Sequence, residues 1–246
     1  MSQSISRELR VAFFGGSFDP PHLGHLAVAH AAMAALALDT VLFVPVGAQP
    51  FKPSGSSAGF DDRVEMTRLA IEGESAFRLS FADAPRPSGQ PNYTLDSLLA
   101  VKKELPQTCE LYCLMGADAF GSFQHWFRAA EIPYVAPLIV VSRPGQPLHD
   151  LQASLPGGLT LEPECEVQQV QTAVGGPTIE LRRYSLVDAA GRRAPFYLLP
   201  DIDIPISATY IRELIGAPES AKTPALGPEL VPETVARYVQ SRGLYR

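Results

Sequence analysis

Short apolar runs and longer helix-like stretches follow one another along the first 145 residues. Apolar and β-branched runs bounded by turn residues predict buried strands, whereas strong helix formers with apolar residues at helical spacing predict helices. The predicted strands are 10–15, 40–46, 76–82, 110–116 and 136–142, and the predicted helices are 25–38, 60–73 and 93–105. Such a succession predicts an α/β fold in which a parallel sheet carries helices on both faces.

This succession stops between about residues 146 and 195, in a segment rich in Pro, Gly and Gln. Polar and apolar residues alternate in "TIELRRYSLV", which favours an antiparallel hairpin over another strand–helix–strand unit. A strand at 195–200, a short helix at 207–216 and an amphipathic helix at 232–244 follow. We therefore predict a single domain over residues 1–246. It is a Rossmann-like, doubly wound sheet with one insertion at about 146–195 and a helical C-terminal end.

Composition and charge narrow the classes of protein that fit this pattern. The net charge of −6 argues against a general nucleic-acid-binding protein, which needs a basic surface. The chain shows neither an apolar run long enough to cross a membrane nor the apolar stretch of a signal peptide. Its three cysteines form no CxxC pair and predict reduced thiols. We therefore expect a cytoplasmic protein without nucleic-acid or membrane partners, and the pattern specifies no oligomeric state.

The stretch "GGSFDPPHLGHL", residues 15–26, joins the first predicted strand to the first predicted helix. Gly15 and Gly16 allow a ligand to approach the backbone closely, because no Cβ intervenes. The start of the helix presents unpaired N–H groups and a partial positive charge, which favours a phosphate. His22 and His25, three residues apart, lie near one face of the first helical turn and can donate to phosphate oxygens. The stretch therefore predicts a phosphate-binding loop.

The histidine pair has two other possible roles. A metal site would need a third protein ligand, for which Asp19 is the near candidate. Alternatively, one histidine only caps the helix. The glycines and the strand–loop–helix context favour phosphate binding over both, so no metal site is predicted.

The motif GG-S-FDP-x-H-x-GH resembles the signature of the nucleotidyltransferases that are related to class I aminoacyl-tRNA synthetases. A second signature of that superfamily, near the C-terminus, is similar to "ISATYIR" at 206–212. Within the superfamily the chain resembles the bacterial nicotinate-nucleotide adenylyltransferase family. The supporting segments are "PFKP", "NYTLDSL", "GADAF", "RPG" and the terminal "GLYR". The resemblance covers nearly the whole chain except 146–195.

This resemblance implies adenylyl transfer from ATP, accompanied by Mg²⁺, to nicotinate mononucleotide, with release of pyrophosphate. The implied catalytic residues are His22, His25 and Arg212. The resemblance assigns ATP and its phosphates to Gly15, Gly16, Ser17, Phe18, Lys52, Asp118, Ser207 and Thr209. It assigns the mononucleotide to Thr94 and Trp126, the latter stacking on the pyridine ring.

Ordinary structural interpretations accompany several of these assignments. Ser207 can simply cap an amphipathic helix, Asp118 can be a helix N-cap, and Lys52 can be a solvated loop residue. Phe51 stands where the family usually has a histidine. The alternatives to the implied function are adenylyl transfer to nicotinamide mononucleotide or phosphopantetheine, and nucleotide sensing without catalysis.

Overall fold

A computed structural model of the chain describes residues 8–48, 55–142, 151–172, 177–202, 206–217 and 227–246. Within these ranges the strands are β1 Arg10–Gly16, β2 Thr40–Pro45, β3 Phe77–Leu79, β4 Glu110–Gly116, β5 Leu138–Val141, β6 Leu159–Gln171, β7 Thr178–Asp188 and β8 Arg193–Leu199. The helices are α1 Leu23–Leu36, α2 Phe60–Ala70, α3 Thr94–Glu104, α4 Ala117–Phe120, α5 Ile132–Val135, α6 Ala208–Gly216 and α7 Glu233–Arg242. Short 3-10 turns lie at Phe123–His125, Ala129–Glu131 and Gln152–Ser154.

The strands form one sheet in the order β3-β2-β1-β4-β5-β8-β7-β6. Strands β1 to β5 and β8 run parallel, whereas β7 is antiparallel to both of its neighbours. The chain moves outward from β1 to β3 and then returns to β4 on the other side of β1. Sheets of this kind bind ligands beyond the carboxyl ends of the strands at such a reversal. Because β1 ends at Gly16, the predicted phosphate loop lies there.

Helices cover both faces of the sheet, as the sequence predicts. One face carries α1, α2, α6 and α7, whose fully buried residues include Ala32, Met66 and Ile211. The other face carries α3, α4 and α5, with Leu98 and Ile132 fully buried among them. No helix within the described ranges combines the length and the apolar character needed to span a membrane.

The predicted antiparallel hairpin consists of β6 and β7, and it joins the main sheet because β7 pairs with β8. Leu181 and Leu186 of β7 are fully buried, one in the core on each face. Val170 and Ile179 pack against the core that α1 covers. The segment interpreted as an insertion therefore widens the sheet and both cores instead of standing apart from them.

Several predicted elements begin or end at other residues in the structure, and β3 and α1 show the reason most directly. The strand predicted at 76–82 is reduced to Phe77–Leu79, because only these residues pair with β2 before a turn at 81–84. The helix predicted from residue 25 begins at Leu23, because His22 is the N-cap residue with an extended backbone. It ends at Leu36, since Ala37 takes a left-handed conformation with φ 49°.

Candidate active site

Two cavities adjoin at the carboxyl ends of β1 and β4. The larger cavity has a volume of about 620 Å³ and reaches from the β1–α1 loop to α6. The smaller cavity, of about 440 Å³, reaches from the same loop to the start of α3 and to the turn after α4. Five residues line both cavities: Gly15, Gly16, Ser17, Asp118 and Ala119. Ligands bound in the two cavities would therefore meet beside residues 15–17.

His22 and His25 line the larger cavity. The backbone N–H of His22 donates to Nδ1 of His25 over 3.1 Å, which is the return half of a capping box. The ring centroids lie 3.8 Å apart. Because Nδ1 of His25 accepts this bond, its neutral ring carries hydrogen on Nε2. Capping and ligand binding are therefore compatible: the cap sets the tautomer in which Nε2–H is a donor.

Packing around Gly15 and Gly16 is tight. A Cβ on Gly15 would lie 2.9 Å from the ring of Phe13, and one on Gly16 would lie 3.0 Å from the ring of Phe18. Phe18 is buried and has a left-handed φ of 47°. Its ring packs edge-on against Phe14, with the centroids 5.6 Å apart. The loop is thus anchored in the core directly beneath the cavities.

Helix α6 brings the second motif to the larger cavity, which Ser207, Thr209 and Arg212 line. Ser207 is the N-cap residue of α6, and its Oγ accepts the backbone N–H of Tyr210 over 3.2 Å. The guanidinium of Arg212 donates to Oγ1 of Thr209 over 3.2 Å and to the backbone carbonyl of Asp19 over 2.8 Å. The two motifs are therefore joined by a direct hydrogen bond.

The buried carboxylate of Asp19 holds the loop that precedes His22. It accepts backbone N–H groups from Ser57 over 2.6 Å and from Ala58 over 3.0 Å. It also accepts the hydroxyl of Tyr245 over 2.7 Å. Asp19 thus connects three separate segments, which is a different role from the metal ligand considered above.

Arg63, which the sequence analysis did not single out, completes this network. It is 2% exposed and donates to the backbone carbonyls of Ser17 over 2.7 Å, Val46 over 2.8 Å and Ala58 over 3.3 Å. Burial lowers the pKa of Arg63, an effect that the Asp19 carboxylate opposes. The sequence does contain an indication that Arg63 is buried. It lies three, four and seven positions before Met66, Thr67 and Ala70, the other residues on the buried face of α2.

Aromatic residues and the start of α3 line the smaller cavity. Nε1–H of Trp126 donates to Oγ of Ser122 over 3.2 Å, which orients the indole. Thr94 is the first residue of α3 and so lies at a helix N-terminus. Asp118 is the second residue of α4, whose N-cap is Gly116, so the N-cap interpretation of Asp118 is wrong.

Asp83 is a second residue of the site that the sequence did not reveal. It lines the smaller cavity, is 4% exposed, and its Oδ1 accepts the hydroxyl of Ser97 over 2.6 Å. Burial raises the pKa of Asp83 to about 6, although the Ser97 hydrogen bond and the charge of Arg86 oppose this shift. Nothing in the local sequence marks this loop aspartate as buried.

The structure brings together every predicted site residue that it describes. The twelve residues line one or both cavities: Gly15, Gly16, Ser17, Phe18, His22, His25, Thr94, Asp118, Trp126, Ser207, Thr209 and Arg212. Lys52 and Phe51 lie outside the described residues.

Comparison with known proteins identifies the family. A family model described as cytidylyltransferase-like matches residues 13–214. A protein of Gloeobacter violaceus, named probable nicotinate-nucleotide adenylyltransferase, is 35% identical over 236 residues, which cover 96% of each chain. The chain belongs to the nicotinate-nucleotide adenylyltransferase family. A Dehalococcoides mccartyi protein of the same name is 31% identical over 240 residues, covering 96% of this chain and 97% of the relative.

The fold of this nicotinate-nucleotide adenylyltransferase family member is also found in a solved structure. The Plasmodium falciparum nicotinic acid mononucleotide adenylyltransferase, complexed with NaAD, superposes with a TM-score of 0.65. The match covers 96% of this chain and 97% of the other at 14% identity. The superposition thus shows a common fold.

Proposed function

We propose that the protein transfers the adenylyl group of ATP to nicotinate mononucleotide, giving nicotinate adenine dinucleotide and pyrophosphate in cytoplasmic NAD biosynthesis. The observation that carries the proposal is the pair of cavities that meet beside Gly15, Gly16 and Ser17. Adenylyl transfer needs two nucleotides whose phosphates come together end to end, and this arrangement provides a chamber for each.

The larger cavity suits ATP. Imidazole, hydroxyl and guanidinium groups converge there from His22, His25, Ser207, Thr209 and Arg212. A triphosphate offers many acceptor oxygens, and charge-assisted hydrogen bonds to such oxygens are the strong ones. The N-terminus of α6 adds N–H groups and a favourable dipole for the β- and γ-phosphates.

The smaller cavity suits the mononucleotide. The indole of Trp126 provides a flat surface on which a pyridine ring can stack, and Ser122 fixes its orientation. The hydroxyl of Thr94 and the N–H groups at the start of α3 can donate to the nicotinate carboxylate. Asp118 lines both cavities, and its carboxylate can accept a ribose hydroxyl of a bound nucleotide.

The chemistry requires alignment and charge stabilisation more than a general base. An oxygen of the mononucleotide phosphate attacks the α-phosphorus, a new P–O bond forms, and the bond to the bridging oxygen breaks. Pyrophosphate departs with the bonding electron pair. Because the nucleophile is already ionised at neutral pH, no proton has to be removed from it. His22, His25 and Arg212 then act as donors that stabilise charge on the transferring group.

Mg²⁺ enters this scheme as part of the MgATP substrate, bound to phosphate oxygens. Among the residues that the structure describes, no group of three or more His, Cys, Asp or Glu side chains is arranged to hold a metal.

The test is an assay of dinucleotide and pyrophosphate formation from MgATP, run in parallel with nicotinate mononucleotide and with nicotinamide mononucleotide. The smaller cavity mainly presents hydrogen-bond donors. The nicotinate carboxylate can accept from all of them, whereas the NH₂ group of nicotinamide would face one of these donors without an acceptor. A mispaired buried group costs about 1–3 kcal/mol, so kcat/KM should be at least about tenfold higher for nicotinate than for nicotinamide mononucleotide. Equal values or a preference for the amide would refute the substrate assignment. Absence of pyrophosphate release with nicotinate, nicotinamide and phosphopantetheine substrates would leave nucleotide sensing as the function.

A further inference from the structure

The last residues of the chain turn back towards the larger cavity. Helix α7 ends at Arg242 and is capped by Gly243, whose φ of 63° places it in the left-handed region. The N–H of Gly243 donates to the carbonyl of Gln240, and the N–H of Leu244 donates to that of Val239, which closes the helix end. Leu244 then packs on the core. The chain end is therefore held by its own capping motif and by burial.

Tyr245 continues this reversal with a left-handed φ of 66°. Because this conformation is unfavourable for a residue with a bulky side chain, contacts elsewhere must maintain it. The side chain supplies them: its hydroxyl lies 2.7 Å from Oδ1 of Asp19 and 3.9 Å from Sδ of Met66. Burial first, and then the hydrogen bond to Asp19, raise the pKa of Tyr245. The hydroxyl therefore keeps its proton and acts as the donor.

Asp19 transmits this contact to the candidate active site. Its backbone carbonyl accepts the guanidinium of Arg212, and its carboxylate accepts the N–H groups of Ser57 and Ala58. Asp19, Ser57 and Arg212 all line the larger cavity. Asp19 also stands three residues before His22, so a shift of its carboxylate moves the loop that carries the histidine.

Asp19 and Tyr245 do not line the smaller cavity, which meets the network at Ser17 and Val46, whose carbonyls are held by Arg63 and not by the Asp19 carboxylate. We propose that Tyr245 is a positioning residue, whose hydroxyl fixes Asp19 so that the His22 loop and Arg212 keep the geometry that the ATP phosphates require. The identity of the nucleotide rests on the proposed function. The contact between Tyr245 and Asp19 predicts that loss of the hydroxyl weakens the binding of ATP and leaves the binding of the mononucleotide unchanged.

The variant Tyr245→Phe removes the hydroxyl and keeps the ring. We expect kcat/KM for ATP to fall about tenfold, the scale of losing one hydrogen bond to a charged group. KM for the mononucleotide should change less than twofold. The dissociation constant of a non-hydrolysable MgATP analogue, measured by calorimetry without the second substrate, should rise in parallel with KM for ATP.

Tyr238→Phe is the matched control. The hydroxyl of Tyr238 donates to Oδ1 of Asp62 over 2.9 Å, so this variant also breaks a tyrosine–aspartate bond between the C-terminal region and another element. It should lower the melting temperature about as much as Tyr245→Phe while leaving both KM values unchanged. A double variant, Asp19→Asn with Tyr245→Phe, should bind the analogue no more weakly than Asp19→Asn alone, because the tyrosine acts through that carboxylate.

Two results would overturn the proposal: ATP parameters of Tyr245→Phe equal to those of Tyr238→Phe, or equal rises in KM for both substrates. The analogue-binding measurement separates this proposal from the proposed function. If the unmodified protein makes no dinucleotide but Tyr245→Phe still weakens analogue binding, the positioning role stands and the substrate assignment fails.

Discussion

The two cavities are built on different physical principles although they share the glycines at the end of β1. Charged side chains hold the walls of the larger cavity: Asp19, Arg63 and Arg212 join segments up to 226 residues apart by hydrogen bonds. Aromatic side chains such as Trp126 and Phe127 line the smaller cavity, with Asp83 buried beside them. A triphosphate demands donors at set positions, and long side chains provide these only when a network fixes them. A pyridine ring demands mainly a flat apolar surface, which one oriented aromatic residue provides.

The strongest test of this contrast is His22→Ala. Loss of one preorganised donor to the transferring phosphate should lower kcat by roughly 10²–10³. The effect should appear in kcat more than in KM for the mononucleotide, because His22 lines only the larger cavity. Steady-state kinetics with each substrate varied would measure it.

His30→Ala is the control for that variant, since His30 lies on the same helix and pairs with Glu74 at the surface. It should retain normal turnover. A His22→Ala protein with near-normal kcat would remove the histidine from the mechanism.

A smaller effect is expected for Trp126→Ala. Base–aromatic stacking is worth about 1–3 kcal/mol, so KM for nicotinate mononucleotide should rise roughly tenfold while KM for ATP stays constant. Trp126→Phe keeps a flat ring and should recover most of the loss. Equal changes in the two KM values would show that the cavities do not bind separate substrates.

The smallest expected effect concerns Asp83 and pH. Because burial raises the pKa of Asp83 to about 6, the carboxyl loses its proton as the pH rises through 6. A negative charge then develops beside the proposed carboxylate site. The ratio of kcat/KM for the nicotinate over the nicotinamide substrate should fall by about threefold to tenfold between pH 5 and 7.5. Asp83→Asn should show a flat ratio.

A stability measurement checks the same titration. A buried acid with a raised pKa binds its proton more tightly in the folded state than in the unfolded state, so folding stability contributed by Asp83 is full below about pH 4 and is lost towards pH 6. The protein should therefore lose stability relative to Asp83→Asn over that interval. The exposed Asp61→Asn serves as the comparison, and a difference in melting temperature that does not vary with pH would contradict the assignment.

Much of the fold was predictable because the pattern of a parallel sheet is local. Strands such as β4 and β5 are buried on both faces and read as continuous apolar runs, bounded by Gly and Pro. The hairpin of β6 and β7 was also predictable from its alternation. Its attachment to the main sheet was not, because that attachment depends on β8 pairing with β5, a strand far earlier in the chain. The length of β3 likewise depends on how far β2 extends beside it.

The sequence by itself determined the chemistry of the loop: two glycines, two histidines at a helix start and a distant "ISATYIR" predict donors for phosphate, since these properties reside in the residue types and their spacing. The tertiary structure decided which groups hold those donors in place. Asp19 and Tyr245 are 226 residues apart and nothing in either neighbourhood indicates the other. Burial is the physical reason: a carboxylate or guanidinium removed from water must find partners wherever the fold supplies them. Such partners are set by packing in three dimensions and not by position along the chain.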